Sequence, residues 1–127
     1  MMIENEISRI LVDSAIEVHR VLGGPGLLES VYEEALVYEL EQRGLDLKRQ
    51  VSVPLLYKGN SLATPLRLDL LVAEKVIVEC KSMITYNSIF EAQLLTYLRL
   101  TGLKLGLVVN FGETYVSKGI HRVANNL

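Results

Sequence analysis

The run VIVECKS, residues 76–82, constrains the fold more than any other feature of this sequence. Residues 76–78 are valine, isoleucine and valine, which are typical of a buried strand. Glu79 and Lys81 continue the same run two residues apart, so both charges lie on one face of that strand. Burying a charge is costly unless it is paired or binds a metal ion. The run therefore predicts a core strand whose charged end is a candidate functional site, because these charges do not stabilise the core.

Three segments carry apolar residues at helical spacing and are predicted to be amphipathic helices: residues 3–22, 28–43 and 89–100. The glycine-rich residues 23–26 separate the first two helices. Gly44 and Gly102 stand where a helix commonly ends on glycine.

Four segments have the composition of strands: residues 47–57, 61–72, 76–82 and 103–112. Residues 58–60 (Lys-Gly-Asn) are predicted to form a hairpin turn, and residues 73–75 are the loop of a second hairpin. The tail after residue 112 is left without a structural prediction. The order of elements indicates an α/β (α+β mixed) fold, with one mixed sheet and helices packed against it. A single domain over residues 1–127 is expected from this length.

Composition narrows the class of protein. The chain is 50% hydrophobic and 22% charged, as is usual for globular proteins. No apolar run approaches the about 18 residues that span a bilayer, so no membrane association is expected. Glu4 and Glu6 stand where a signal peptide would carry positive charge. Cys80 is the only cysteine, which excludes an internal disulfide and indicates a cytoplasmic location.

The overall charge argues against a strongly basic nucleic-acid binder. The formal net charge is −2 at pH 7, with an isoelectric point near 5.7. Binding to a duplex is driven largely by neutralising phosphates, so any nucleic-acid surface must be local. The cations that could form one are Lys48, Arg49, Arg67, Lys104, Lys118 and Arg122. Whether they share a face depends on the fold.

The second hairpin has one register that keeps both of its faces consistent. One face pairs Leu68 with Cys80, Leu70 with Val78 and Val72 with Val76, and the other pairs Leu71 with Ile77, Asp69 with Glu79 and Arg67 with Lys81. Opposed Cβ atoms in a hairpin lie ~4.5–5.5 Å apart. Two carboxylates at that distance repel each other unless a cation or a proton lies between them. The structural alternative is an ion pair of Lys81 with Glu79 at a half-exposed strand end.

Asp69 followed by Glu79-Cys80-Lys81 resembles the D…ExK core of the PD-(D/E)XK nuclease superfamily. Leu68 stands in the place of the proline that gives the superfamily its name, a position that carries no chemistry. The resemblance implies a restriction-endonuclease-like core with a central mixed sheet flanked by helices. It also implies that the chain is an enzyme, a nuclease.

Two further motifs extend the resemblance over nearly the whole chain. The stretch GLLESVY resembles the motif that names the GxxExxY protein family within this superfamily, through Gly26, Glu29 and Tyr32. The stretch AQLLTYL resembles the QxxxY motif of RecB-like members, through Gln93 and Tyr97.

The resemblance assigns roles to these residues. Asp69, Glu79 and the backbone carbonyl of Cys80 would bind Mg²⁺ or Mn²⁺, which prefer oxygen ligands. Lys81 would orient the attacking water and stabilise developing negative charge. The resemblance implies a nucleic-acid substrate, with DNA expected before RNA, and a homodimer fits the way in which small members cut two strands.

The functional roles of the residues outside the D…ExK core have less support in the sequence. Glu29 is expected at the metal or its waters, although a carboxylate in the first turn of a helix also favours the helix dipole. Gln93 and Tyr97 share a helix face and are expected to touch substrate, as is Arg67 beside the strands. For Tyr97, an ordinary place on a polar helix edge is equally open.

Other functions compete with the nuclease assignment. A non-catalytic binding module for nucleic acid or protein could retain the fold, but it would usually lose one core residue. A metal-dependent hydrolase with another substrate also stays open. Residues 23–26 precede no GK[ST] sequence, so they indicate a turn and not a nucleotide-binding loop. His19 and His121 are too few for a recognisable zinc motif.

Overall fold

The structure is a computed structural model that describes residues 2–127. Its helices are α1 (Glu4–Val21), α2 (Glu29–Gln42) and α3 (Ile89–Thr101). Its strands are β1 (Leu47–Val53), β2 (Leu56–Tyr57), β3 (Asn60–Ser61), β4 (Leu66–Val72), β5 (Val76–Lys81), β6 (Leu105–Asn110) and β7 (Ile120–Ala124). A 3₁₀ turn, Val116–Gly119, precedes the last strand.

Five strands form the central sheet in the order β1-β4-β5-β6-β7. The β5–β6 pair is parallel, and α3 makes the crossover between these two strands, whereas the other neighbours are antiparallel. The predicted mixed sheet with flanking helices is therefore confirmed. The three predicted helices are confirmed to within about two residues at each end, the usual uncertainty of helix boundaries.

The first predicted hairpin is more broken than its composition suggested. β1 ends at Val53, and β2 and β3 form a separate two-stranded hairpin around Lys58 and Gly59. Pro54 follows β1 and Pro65 precedes β4. Because proline has no N–H to donate to a strand ladder, it interrupts the two long strands that were predicted there.

The tail holds the strand that the sequence did not indicate. β7 pairs with β6, and its residues are mostly half-buried or exposed, as expected at the edge of a sheet. An edge strand lacks the continuous apolar run that identifies its buried neighbour β6. Val123 is the only residue of β7 that is buried.

Helices cover the two faces of the sheet and form two hydrophobic cores. α1 and α2 pack on one face through residues that include Ile7, Leu11, Leu36 and Leu40. α3 packs on the other through Leu94 and Leu98, and these side chains meet Ile77 and Val108 of the sheet.

Strands β1 and β4 change faces part-way along. Leu70 packs in the core beneath α1 and α2, but Leu68, two residues earlier, packs in the core beneath α3. Residues two apart on a regular strand share a face. The prediction that Leu68 shares a face with Leu70 and Cys80 is therefore wrong. Asp69 lies where the change occurs. The residue opposite Asp69 on β1 is Gln50, whose φ is +50°.

Candidate active site

The strands β4 and β5 part at Asp69 and Glu79. The hairpin register is confirmed for Leu70–Val78, Leu71–Ile77 and Val72–Val76. The continuation is wrong: the next predicted pairs, Asp69–Glu79, Leu68–Cys80 and Arg67–Lys81, are not part of the ladder. The gap that opens between the strands is bridged by side chains.

Each carboxylate of this gap accepts a hydrogen bond from the backbone of the opposite strand. Glu79 Oε2 accepts from the N–H of Asp69 at 2.9 Å, and Asp69 Oδ2 accepts from the N–H of Cys80 at 2.9 Å. The two contacts replace the ladder hydrogen bonds that end here. They use one oxygen of each carboxylate and leave the other oxygen of each for a further partner.

The backbone carbonyl of Cys80 is directed into the same gap. Phe111 donates its N–H to the carbonyl of Lys81 at 2.8 Å, so the backbone N–H and C=O of Lys81 point toward β6. Because successive residues of a strand direct their backbone groups to opposite sides, those of Cys80 lie on the β4 side. The Cys80 N–H is bound there by Asp69.

The electrostatics of the gap are those of crowded carboxylates. Burial in the first place, and then the negative charge of Asp69, raise the pKa of Glu79 to about 8. Burial also raises the pKa of Asp69, although the hydrogen bond from the Cys80 N–H opposes this. In this gap the burial of the carboxyls and their nearness to each other both favour the protonated form.

Lys81 lies beside the carboxylates without forming an ion pair with them. Its Nζ lies 4.4 Å from the centre of the Phe90 ring on α3. No carboxylate oxygen of residues 2–127 lies within ion-pair distance of this Nζ. The ion pair of Lys81 with Glu79, the structural alternative, is therefore not formed. The positive charge still lowers the pKa of Glu79 and Asp69.

The GLLESVY segment carries Glu29 to the edge of this gap. Gly26 has φ +109°, a conformation that other residues rarely adopt. The buried Tyr32 donates its O–H to the Gly24 carbonyl at 2.6 Å and accepts from the Leu27 N–H at 3.1 Å, which ties the loop to α2. Glu29 is the first residue of α2. Burial raises the pKa of Glu29. The positive charge of Lys81 lowers this pKa, and the negative charge of Asp69 raises it.

The three residues predicted to contact substrate differ in exposure and in how closely they are coupled to the carboxylates. Tyr97 is half-buried on α3, and its pKa is raised by burial and then by the charges of Glu79 and Asp69. Gln93 is exposed one turn before it. Arg67 is exposed on β4 opposite Ser52, and it forms no hydrogen bond or ion pair to a side chain of the site.

Two residues that the sequence reasoning missed complete the site. Glu33 follows Glu29 by one helical turn and is buried, where Arg49 donates to it at 3.0 Å and Gln50 at 3.3 Å. An open cleft of about 430 Å³ is lined by Leu28, Glu29, Ser30, Glu33, Gln50 and Asp69. The spacing of four from Glu29 could have indicated Glu33. Nothing in the local sequence distinguished Gln50.

The buried Asn110 fixes the segment that leaves the site. Its Oδ1 accepts from the N–H groups of Met83 at 2.9 Å and Gly112 at 3.1 Å, and its Nδ2 donates to the Met83 carbonyl. A Cβ on Gly112 would lie 2.2 Å from the Met83 oxygen. Only glycine allows this close approach, which holds the end of β5 against the end of β6.

The donor set fits a hard divalent cation that keeps part of its water. Within the described residues, no three side chains of His, Cys, Asp or Glu form a ready-made metal cage. Mg²⁺ is commonly bound through one or two carboxylates together with waters and substrate oxygens. Asp69 and Glu79, each with one oxygen uncommitted, and the Cys80 carbonyl supply this kind of site.

Comparison with known proteins identifies the family. A family model for the PD-(D/E)XK nuclease superfamily matches residues 5–123. The chain belongs to the PD-(D/E)XK nuclease superfamily. Neither the comparison with curated proteins nor that with solved structures gave a match.

Membership in the superfamily agrees with the fold. The five-stranded mixed sheet flanked by helices is the arrangement expected of a restriction-endonuclease-like core, so the predicted fold class is confirmed. The helices described by the structure are too short or too polar to cross a bilayer. PD-(D/E)XK nucleases commonly use Mg²⁺ or Mn²⁺, which suits the carboxylates at the parting of β4 and β5.

Proposed function

We propose that this PD-(D/E)XK protein is a Mg²⁺- or Mn²⁺-dependent nuclease that hydrolyses phosphodiester bonds in DNA, and that it is a member of the GxxExxY family. The observation that carries the proposal is the pair of crossed hydrogen bonds at Asp69 and Glu79. They hold two carboxylates together at a cost in charge repulsion, and a divalent cation removes that repulsion.

Asp69, Glu79 and the Cys80 carbonyl hold the metal ion in this proposal. When bound, the metal neutralises charge on the phosphate and lowers the pKa of a bound water. Lys81 orients the water and stabilises negative charge as it develops. The ring of Phe90 supports that role, because it keeps the ammonium beside the carboxylates without an ion pair to them.

Glu29 contributes from the opposite wall of the site. The charges of Lys81 and Asp69 act on its pKa in opposite directions, and its place at the start of α2 is fixed by Tyr32 and the loop 23–27. We assign Glu29 to the outer waters of the metal. Placement in the first turn also favours the helix dipole, and a single carboxylate can serve both purposes.

Substrate contacts are assigned to Gln93, Tyr97 and Arg67. Tyr97 has the best support, because its pKa responds to Glu79 and Asp69. We do not include Lys48 and Arg49 in the DNA-binding surface, because Lys48 forms an ion pair with Glu74 and Arg49 forms one with Glu33. A homodimer, a single domain over residues 1–127 and a cytoplasmic location complete the proposal.

The decisive experiment is cleavage of a mixed panel of single-stranded, duplex and branched DNA and of RNA. Wild type is compared with Glu79→Gln, which keeps the shape of the side chain and removes its charge. The matched control is Glu74→Gln, an exposed glutamate in the turn of the same hairpin. Each protein is assayed with Mg²⁺, with Mn²⁺ and with a chelator.

Metal-dependent cutting of DNA by wild type and Glu74→Gln, but not by Glu79→Gln, is the expected result. Cutting of RNA alone would overturn the DNA assignment and leave the nuclease. No cutting of any substrate, together with no rise in melting temperature on adding metal, would identify a binding module that retains the fold.

A further inference from the structure

Gln50 is the most unusual backbone position in the central sheet. Its φ of +50° falls in the left-handed region, although it is not glycine and lies inside β1. The pairing of β1 with β4 omits it, since Arg49 pairs with Leu70 and Val51 pairs with Leu68. The position that it skips is that of Asp69. Residues in such strained conformations persist where the surrounding structure requires them, commonly at functional sites.

The strain at Gln50 has a clear consequence for the direction of its side chain. The change of face in β1 occurs here, between Leu47 beneath α2 and Val51 beneath α3. The Gln50 side chain consequently lies in the cleft that Glu29, Glu33 and Asp69 also line. Its Nε2 lies 3.3 Å from each carboxylate oxygen of Glu33. The amide shares this cleft with Asp69, and it has a small lowering influence on the pKa of that carboxyl.

We propose that Gln50 is a positioning residue that orients the Asp69 carboxylate for metal binding, by linking it through its amide to the buried Glu33. This inference rests on the proposed function of Asp69 as a metal ligand. The Asp69 Oδ2 atom is already fixed by the Cys80 N–H. A donor on the β1 side fixes the plane of the carboxylate, so that its second oxygen faces the gap shared with Glu79.

An amide suits this place better than a charged donor. Arg49 already neutralises Glu33 with a contact of 3.0 Å. A second cation beside Asp69 would compete with the metal for its oxygens, whereas a neutral amide donates a hydrogen bond and leaves the negative charge for the ion. Residues that orient metal ligands commonly change metal affinity by roughly 10- to 100-fold when they are replaced.

The test is titration of the intact protein with Mn²⁺ by calorimetry, for wild type and Gln50→Met. Methionine has a similar length and the same difficulty with a positive φ, but it cannot donate. The control is Lys48→Met, two positions earlier on β1, where the lost contact is an exposed ion pair with Glu74. We expect Gln50→Met to bind Mn²⁺ roughly 10- to 100-fold more weakly and Lys48→Met to bind it as wild type does.

Cleavage kinetics give a second readout that a merely structural role would not produce. In Gln50→Met, excess Mn²⁺ should restore kcat, while KM for DNA at saturating Mn²⁺ stays at the wild-type value. A second variant, Gln50→Gly, removes the amide and relieves the backbone at once. It should melt no lower than Gln50→Met and lose the same metal affinity.

The outcomes separate the two proposals. Wild-type Mn²⁺ affinity in a folded Gln50→Met or Gln50→Gly overturns the positioning role and leaves the nuclease intact. Failure of both variants to fold also overturns it, because Gln50 would then be needed for the sheet itself. Absence of Mn²⁺ binding in wild type defeats the proposed metal site, and the role of Gln50 with it.

Discussion

Glu79 and Asp69 each bind the backbone of the other's strand, through contacts of 2.9 Å to the N–H groups of Asp69 and Cys80. The same carboxylates therefore end the β4–β5 ladder and satisfy the backbone groups that the ladder leaves free. This explains how the buried Glu79 and the half-buried Asp69 are tolerated between these strands. The other oxygen of each acid takes no part in these two contacts.

Replacement of Glu79 by glutamine should separate activity from stability. The amide oxygen can still accept from the Asp69 N–H, and the repulsion from Asp69 is removed, so the metal-free melting temperature should be unchanged or higher. Cleavage should fall by more than about 100-fold, because a bound metal contributes several kcal/mol to the transition state. Calorimetric scans and initial rates measure the two effects. An unfolded Glu79→Gln would contradict the hypothesis that the charge of Glu79 is needed for cleavage and not for folding.

The stability of the metal-free protein should depend on pH in an unusual direction. The pKa of Glu79 is raised from 4.5 to about 8 by burial and by Asp69, so the folded state holds its proton more tightly than the unfolded state does. The stabilisation is complete below about pH 4.5 and is lost as the pH rises through about 8. The pKa values of Asp69 and Glu29 are raised too, which adds to the same trend.

Thermal unfolding in a chelating buffer between pH 5 and pH 8.5 measures this dependence. Glu79→Gln should show a flatter profile than wild type, and added Mn²⁺ should stabilise wild type most at the alkaline end. A wild-type profile that rises steadily with pH would contradict the assignment of Glu79 as the acid with the raised pKa.

Tyr32→Phe should weaken the loop that carries Glu29. Loss of the hydroxyl leaves the Gly24 carbonyl and the Leu27 N–H without their partner, at a cost of about 1–3 kcal/mol in the free energy of unfolding. Cleavage should fall as well, because Glu29 begins the helix that follows this loop. Tyr38→Phe on the exposed side of α2 is the matched control. Equal effects of the two substitutions on urea unfolding would show that the loop does not depend on this hydroxyl.

Arg49→Met should cost far more stability than Lys48→Met on the adjacent position of β1. Arg49 pairs with Glu33, whose side chain is 8% exposed, whereas Lys48 pairs with Glu74, whose side chain is 67% exposed. Loss of a hydrogen bond to a charged and buried group costs about 1–3 kcal/mol, and an exposed ion pair is worth below about 1 kcal/mol. Urea unfolding measures both.

The double variant Arg49→Met/Glu33→Gln tests the cause of that loss. If the loss comes from an unpaired buried carboxylate, removing the charge of Glu33 should recover most of the stability. A double variant as unstable as Arg49→Met alone would point to the packing of the arginine stem instead.

The sequence alone was sufficient for much of the fold around the candidate site. The valine-rich run ending in Glu79 and Lys81 identified a buried strand with charges, and the hairpin register was correct up to the pair Leu70–Val78, next to Asp69. Helical spacing and glycines located α1, α2 and α3 to within about two residues. These features are local, since they depend on the periodicity of side chains and on the conformational range of glycine.

Other features were decided only by tertiary structure. The change of face at Asp69, the positive φ of Gln50 and the pairing of Glu33 with Arg49 depend on contacts between β1, β4 and α2, which are distant in sequence. Local pattern extended the ladder through Asp69 and Glu79 because an ideal strand alternates regularly. Packing on both faces of the sheet bends the strands there instead. The sequence therefore determined which residues carry the charges, and the fold determined that their strands separate at Asp69 and Glu79.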